Sequence, residues 1–267
     1  KANGLKVLSR FTGDLHVRPA IATDDPAEVG PVDVILLTTK LYDLETATAA
    51  LKPMLGPETA AISLLNGVDA AERMIPIVGA APVVPGVAYT TATIHAPGVI
   101  RHVSGPHLIG FGELGRGRSP RLDAFDAVAR AAGIETDYTD DVETLIWRKF
   151  ALLVAVAGAC AISRQPMGGI KRDPELMRLY GAATDEAIAV AAAKGVDVAR
   201  VAADILTYAE GAADDLKPSL LVDLEGGKRL EVDWLAGAVT RLGRALGVPT
   251  PVNQTIWAAL RPFAAGA

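Results

Sequence analysis

One cysteine, four methionines, four histidines and an aromatic fraction of 5% leave this 267-residue chain little with which to build a disulfide framework, a thiolate metal site or a base-stacking platform. A lone Cys160 cannot close an intrachain disulfide, and inside an apolar run it reads as a small buried hydrophobe. No block of Lys or Arg exceeds two residues, and the formal charge is −5. That excludes an electrostatic footprint on nucleic acid and fits a cytoplasmic protein acting on small molecules. His16, His95, His102 and His107 show no metal-ligand spacing, so no metal site and no chemistry is assigned to them. The longest apolar stretch, Phe150 to Ile162, falls short of the ~20 residues that span a bilayer and contains Gly158. It is expected to be a core helix of a protein with no membrane partner. No signal-peptide pattern opens the chain, but Lys1-Ala-Asn-Gly4 begins as if in the middle of an element, so upstream residues are expected to be missing.

Small aliphatic residues fill the gap, since half of the chain is hydrophobic. That is enough for one large or two ordinary cores of Ala, Val and Leu. Leu5 to Ser9 and His16 to Ala22 predict short strands, and Asp33 to Thr39 a continuous apolar strand of the buried parallel kind. A helix over 43–54, a strand over 61–65, a helix over 70–75 and a strand over 81–84 follow. This alternation implies a doubly wound sheet. Two closely spaced strands, 99–103 and 107–111, are expected on either side of a Gly-Pro turn, then a helix from Pro120 and a last strand over 134–138. Beyond Asp140 the strand signals stop. Asp173-Pro174 caps a helix to Lys194, and further helices are predicted over 198–209, 230–246 and 253–264. The chain thus divides into an incomplete Rossmann-like α/β domain, 1–139, and an all-α domain, 140–267.

The chemistry-bearing candidates are few. Gly110-Phe-Gly112-Glu-Leu-Gly115 matches a dinucleotide loop by spacing, yet no apolar helix starts there, so it reads as a strand end and turn. Lys40 and Asn66 stand at the carboxyl ends of successive strands, where open α/β sheets bind ligands. There an amide could meet a nicotinamide and an amine its phosphates. Lys149 in Trp147-Arg-Lys149 is followed by fourteen uncharged residues, 150–163. An ammonium drawn into low dielectric loses solvation and becomes a general acid near neutral pH; the competing reading is a lysine that snorkels to water. Ser219 and Glu231 flank Asp223-Leu-Glu225-Gly-Gly-Lys-Arg229. A carboxylate there could accept ribose hydroxyls and a hydroxyl could hold a substrate carboxylate, against the plainer roles of helix-terminus charge and cap.

In order and spacing, Leu36-Leu-Thr-Thr-Lys40, Asn66-Gly67-Val, the region 86–98, Trp147-Arg-Lys149, Pro218-Ser219-Leu-Leu-Val-Asp223 and Arg229-Leu-Glu231-Val-Asp233 resemble the ketopantoate reductase (2-dehydropantoate 2-reductase) family. The resemblance covers nearly the whole chain. It implies a Rossmann domain followed by a helical domain of the 6-phosphogluconate dehydrogenase C-terminal type, NADPH as cofactor, reduction of a 2-oxo acid to a 2-hydroxy acid, a place in pantothenate biosynthesis and a homodimer. It also implies that Lys149 is the general acid and contacts substrate. Asn66 then touches cofactor and substrate, Lys40 and Glu231 touch the cofactor, and Ser219 binds substrate.

The departures matter equally. Family members carry asparagines one and two helical turns after the lysine and another in a Pro-Asn-Gly turn, where this chain has Leu153, Ala157 and Met167. Loss of three amides predicts a more apolar 2-oxo acid or ketone as substrate. The first strand, the glycine loop and the basic residue for a 2'-phosphate are also expected to lie outside this sequence. The rival to an enzyme is an inactive paralogue or fragment whose Ala-rich helices serve association.

Overall fold

The computed structural model describes residues 4–115 and 117–266, and for residues 104–106 the backbone alone. The chain forms two compact units: one holds residues up to Thr39, Asp43–Leu65 and Ala70–Val142; the other holds Lys40–Tyr42, Asn66–Asp69 and the chain from Glu143 onward. The two short strand-end segments therefore belong with the C-terminal half, so the units are not separated by the single cut expected near residue 139.

The first unit is a mixed sheet of β1 (Leu5–Ser9), β2 (Leu15–Val17), β3 (Val32–Leu37), β4 (Leu55–Ser63), β5 (Val83–Ala96), β6 (Val99–Phe111) and β7 (Glu135–Tyr138). The order is β2-β1-β6-β5-β4-β3, with β7 also beside β6. Strands β3, β4 and β5 run parallel, with Leu36 against Ile62 and Ile62 against Val84. Parallel neighbours need crossovers, and α1 (Leu44–Ala50) and α2 (Ala70–Val78) supply them. Helix α3 (Pro120–Ala131) starts at Ser119, whose hydroxyl accepts from the Leu122 amide, and precedes β7. Ala60, Ile62, Val84, Phe111, Leu122 and Tyr138 form a buried cluster of this unit.

Several local expectations change. The strands predicted over 99–103 and 107–111 are one strand, because Gly105-Pro106 does not turn the chain. Tyr89 pairs with Leu108 but Thr91 with Ser104, so β6 carries extra residues in a bulge, where a strand tolerates a proline that cannot donate. The strand expected over 16–22 is only β2, while β4 and β5 are longer than predicted.

The second unit is helical: α4 (Val142–Ser163), α5 (Met167–Arg172), α6 (Pro174–Ala193), α7 (Val201–Gly211), α8 (Ser219–Glu225), α9 (Ala236–Leu246) and α10 (Pro251–Leu260). Helix α6 begins as predicted, with the Asp173 carboxylate accepting from the Glu175 and Leu176 amides. The helix expected from residue 230 starts only at Ala236, because Leu235 has φ −103 and ψ −101, outside the helical region. Helices α5 and α8, of six and seven residues, are too short for a periodic signal and were not foreseen.

Helix α4 has the length and apolar composition of a membrane span, but 61% of its apolar window is buried inside the protein. Trp147, Phe150, Ala151, Val154, Ala155 and Ala159 share one core with α6, α9 and α10 residues such as Tyr180, Val239 and Ile256. A fixed approach to α10 occurs at Gly158, where a Cβ would lie 3.0 Å from the Ile256 Cδ1. Gly158→Leu is expected to destabilise the protein by about 2 kcal/mol through overpacking, despite better helix propensity. Chemical denaturation checks this, and an unchanged midpoint would show that Ile256 moves freely.

Candidate active site

Every site residue discussed below lies in the second unit. Lys149 sits about two turns past the start of α4, and its Nζ donates to Asn66 Oδ1 at 2.8 Å. Asn66 lies in the turn between β4 and α2, half-buried like Lys149. The lysine does not snorkel to water. Burial pushes its pKa down to about 8, and the negative charge of Glu231 partly opposes that shift. An amine titrating there can give up a proton near neutral pH and carries a positive charge until it does.

Glu231 is buried, 5% exposed, ahead of a 3-10 turn over 232–234. Its side chain makes no cap hydrogen bond to that turn. One oxygen, Oε1, accepts from the Leu41 backbone amide at 2.9 Å, and Oε2 lies 3.4 Å from Lys40 Nζ. Lys40 follows β3 and makes its shorter bond, 2.9 Å, to Asp223 Oδ2. Burial by itself would lower the Lys40 pKa, but the charge of Glu231 and the bond and charge of Asp223 outweigh it and raise the pKa. The strand-end segment is further fixed by Tyr42, whose ring lies 4.1 Å beneath the Arg229 guanidinium and 6.3 Å from the Trp234 ring. Asp69, three residues after Asn66, accepts from Arg241 at 3.3 Å.

Of the predicted site residues, the structure thus joins Lys149 to Asn66 directly and Lys40 to Glu231 directly, while the Glu231 charge couples the two pairs. Ser219 is exposed at the first position of α8 and does not cap it, since Pro218 occupies the cap. Asp223 follows Ser219 by four residues, so α8 presents both on one face. Asp223 was named in the sequence only as a neighbour of Ser219. The helical spacing of the two could have singled it out, but no helix was expected there.

Leu153 and Ala157 follow Lys149 by one and two turns; Leu153 is half-buried against the core and Ala157 is buried. Met167 is wholly buried, with Sδ 3.6 Å from Cys160 Sγ. Cys160 is itself buried, and burial raises its thiol pKa to about 12, in keeping with a small hydrophobe.

Solved structures similar to this chain include oxidoreductases. A PanE/ApbA family ketopantoate reductase from Ralstonia eutropha JMP134 is 30% identical, with TM-score 0.87 over 98% of this chain and 85% of that one. D-mandelate dehydrogenase, in a ternary structure with NADH and anilino(oxo)acetate, shares the fold at 21% identity and TM-score 0.86, over 99% and 86% of the two chains. The class is therefore a Rossmann-like domain followed by a helical domain, as expected. The family models described as ketopantoate reductase PanE/ApbA and ketopantoate reductase PanE/ApbA C terminal match residues 1–116 and 141–264. The 2-dehydropantoate 2-reductase of Caulobacter vibrioides is 31% identical over 94% of this chain and 84% of its own. The chain belongs to the ketopantoate reductase family, whose members use a nicotinamide dinucleotide.

Proposed function

We propose that this protein reduces a 2-oxo acid to a 2-hydroxy acid with NADPH, using Lys149 as general acid. The observation that carries this reading is a buried ammonium, titrating near 8 and aligned by Asn66. The donor set suits a nicotinamide dinucleotide: Glu231 offers a buried carboxylate to ribose hydroxyls, Asn66 keeps its amide nitrogen as a donor, and Lys40 is a cation of the kind that meets phosphate oxygens. When bound, the reduced nicotinamide supplies hydride to the carbonyl carbon. Lys149 offsets the charge that develops on the carbonyl oxygen and delivers its proton there. Ser219 donates its hydroxyl to the substrate carboxylate.

The substrate we propose is a 2-oxo acid with a more apolar side chain than ketopantoate, because Leu153, Ala157 and Met167 replace the amides of the family pattern. We further propose that the described residues do not supply the pyrophosphate loop: Gly112 to Gly115 leaves strand β6, and among the described residues no helix follows until Pro120. Weak NADPH binding by these residues is the expected result, read by fluorescence titration. A cytoplasmic homodimer completes the proposal, tested by sedimentation. The central test is NADPH oxidation, against NADH, with a panel of 2-oxo acids compared by kcat/KM. Absence of turnover from the full-length protein, if that protein also binds neither nucleotide, would favour an association module instead.

A further inference from the structure

We propose that Asp223 is a positioning residue for proton transfer: by sharing the Lys40 ammonium with Glu231, it limits how far that cation neutralises Glu231, whose charge acts on Lys149. This rests on the reading of Lys149 as the acid, and it adds a carboxylate to which no role had been given.

The geometry is a three-charge chain. Lys40 Nζ lies 2.9 Å from Asp223 Oδ2 and 3.4 Å from Glu231 Oε2, so the shorter of its two contacts is to Asp223. Glu231 meets Lys40 through Oε2 while Oε1 accepts the Leu41 amide at 2.9 Å, which holds the carboxylate in place. Both carboxylates are shielded, with side chains 15% and 7% exposed, so charges here are weakly screened by solvent. Two carboxylates and one lysine leave this group net negative, and the charge of Glu231 acts on Lys149. Among the other charged groups, Asp69 pairs with Arg241, Arg148 with Asp204, and Arg229 lies over Tyr42.

Removing the Asp223 charge leaves Lys40 only Glu231 to pair with, so the negative field on Lys149 falls twice over. Removing the Lys40 charge does the opposite. The two neutralisations should therefore move Lys149 in opposite directions, which a merely structural role would not do. The test is competitive acetylation of Lys149 across a pH series, read by peptide mass spectrometry, in wild type, Asp223→Asn and Lys40→Met. Asp223→Asn should lower the midpoint by roughly half to one pH unit and Lys40→Met raise it by a similar amount. The alkaline limb of kcat should follow the same order. Midpoints that stay together, or move in the same direction, overturn the proposal. Because acetylation needs no turnover, a correct pattern in a protein whose Lys149→Ala variant stays active would reject the acid role of Lys149 while retaining the electrostatic one.

Discussion

Lys149→Ala is expected to lower kcat/KM by roughly 10²- to 10⁴-fold, the range lost when a positioned general acid is removed. The wild-type profile gives a matching sign. The acid works only when protonated, so turnover should fall as pH rises through about 8, where the buried ammonium titrates. In the alanine variant that limb should vanish. Stability moves the other way. The folded pKa is depressed from 10.5 to about 8, so below about 8 both states are protonated and the folded one carries the full cost of a buried charge. Between about 8 and 10.5 the unfolded state binds more protons, so stability rises with pH and the cost disappears above that window. The shift corresponds to an upper bound of about 3 kcal/mol, part of which the bond to Asn66 already offsets. Lys149→Met, which fills the same space without charge, should therefore be more stable than wild type at pH 7 and lose its advantage near pH 10.5. Thermal unfolding at the two pH values checks this. An active alanine variant, or a methionine variant that is less stable at pH 7, would show that the amine serves packing and not proton transfer.

A branched or aromatic apolar 2-oxo acid is expected to exceed ketopantoate in kcat/KM by about 10²-fold or more. A pocket that lacks amides at 153, 157 and 167 gains less from a substrate hydroxyl and must strip its water, whereas a pocket with amides there penalises a substrate that lacks one. Leu153→Asn is the informative variant because Leu153 is half-buried and an amide there can still reach water in the free protein. It should narrow the gap by about tenfold, chiefly by improving ketopantoate. Met167 is wholly buried, so Met167→Asn would add a buried polar group and cost about 2 kcal/mol before any effect on specificity. Steady-state kinetics on the two substrate types decides the matter. Preference for ketopantoate in the wild type would show that groups other than these three positions set the substrate.

The sheet and the long helices were legible because they are written in local patterns. The aliphatic run of β3, the Ser119-Pro120 and Asp173-Pro174 helix starts and the charge-free stretch of α4 each specify an element within a dozen residues or so. The bulge that makes β6 one strand was not legible, since it depends on how β5 pairs with it and not on Gly105-Pro106 itself. Nor was α8, whose seven residues are held by burial of Leu220, Leu221 and Leu224.

By itself, the sequence determined an α/β unit followed by helices, and it singled out Lys149, Lys40, Asn66 and Glu231, because strand ends and an amine at the mouth of an apolar run are local features. Only the tertiary structure decided how these charges are connected: Lys149 to Asn66, Lys40 to Asp223 before Glu231, and Glu231 to the Leu41 amide. The physical reason is distance along the chain. Asn66 stands 83 residues from Lys149, and Asp223 stands 183 from Lys40, separations over which no periodicity or spacing rule carries information. Coulomb interactions and hydrogen bonds act over a few ångströms, so which carboxylate holds which amine is fixed only when folding brings them together.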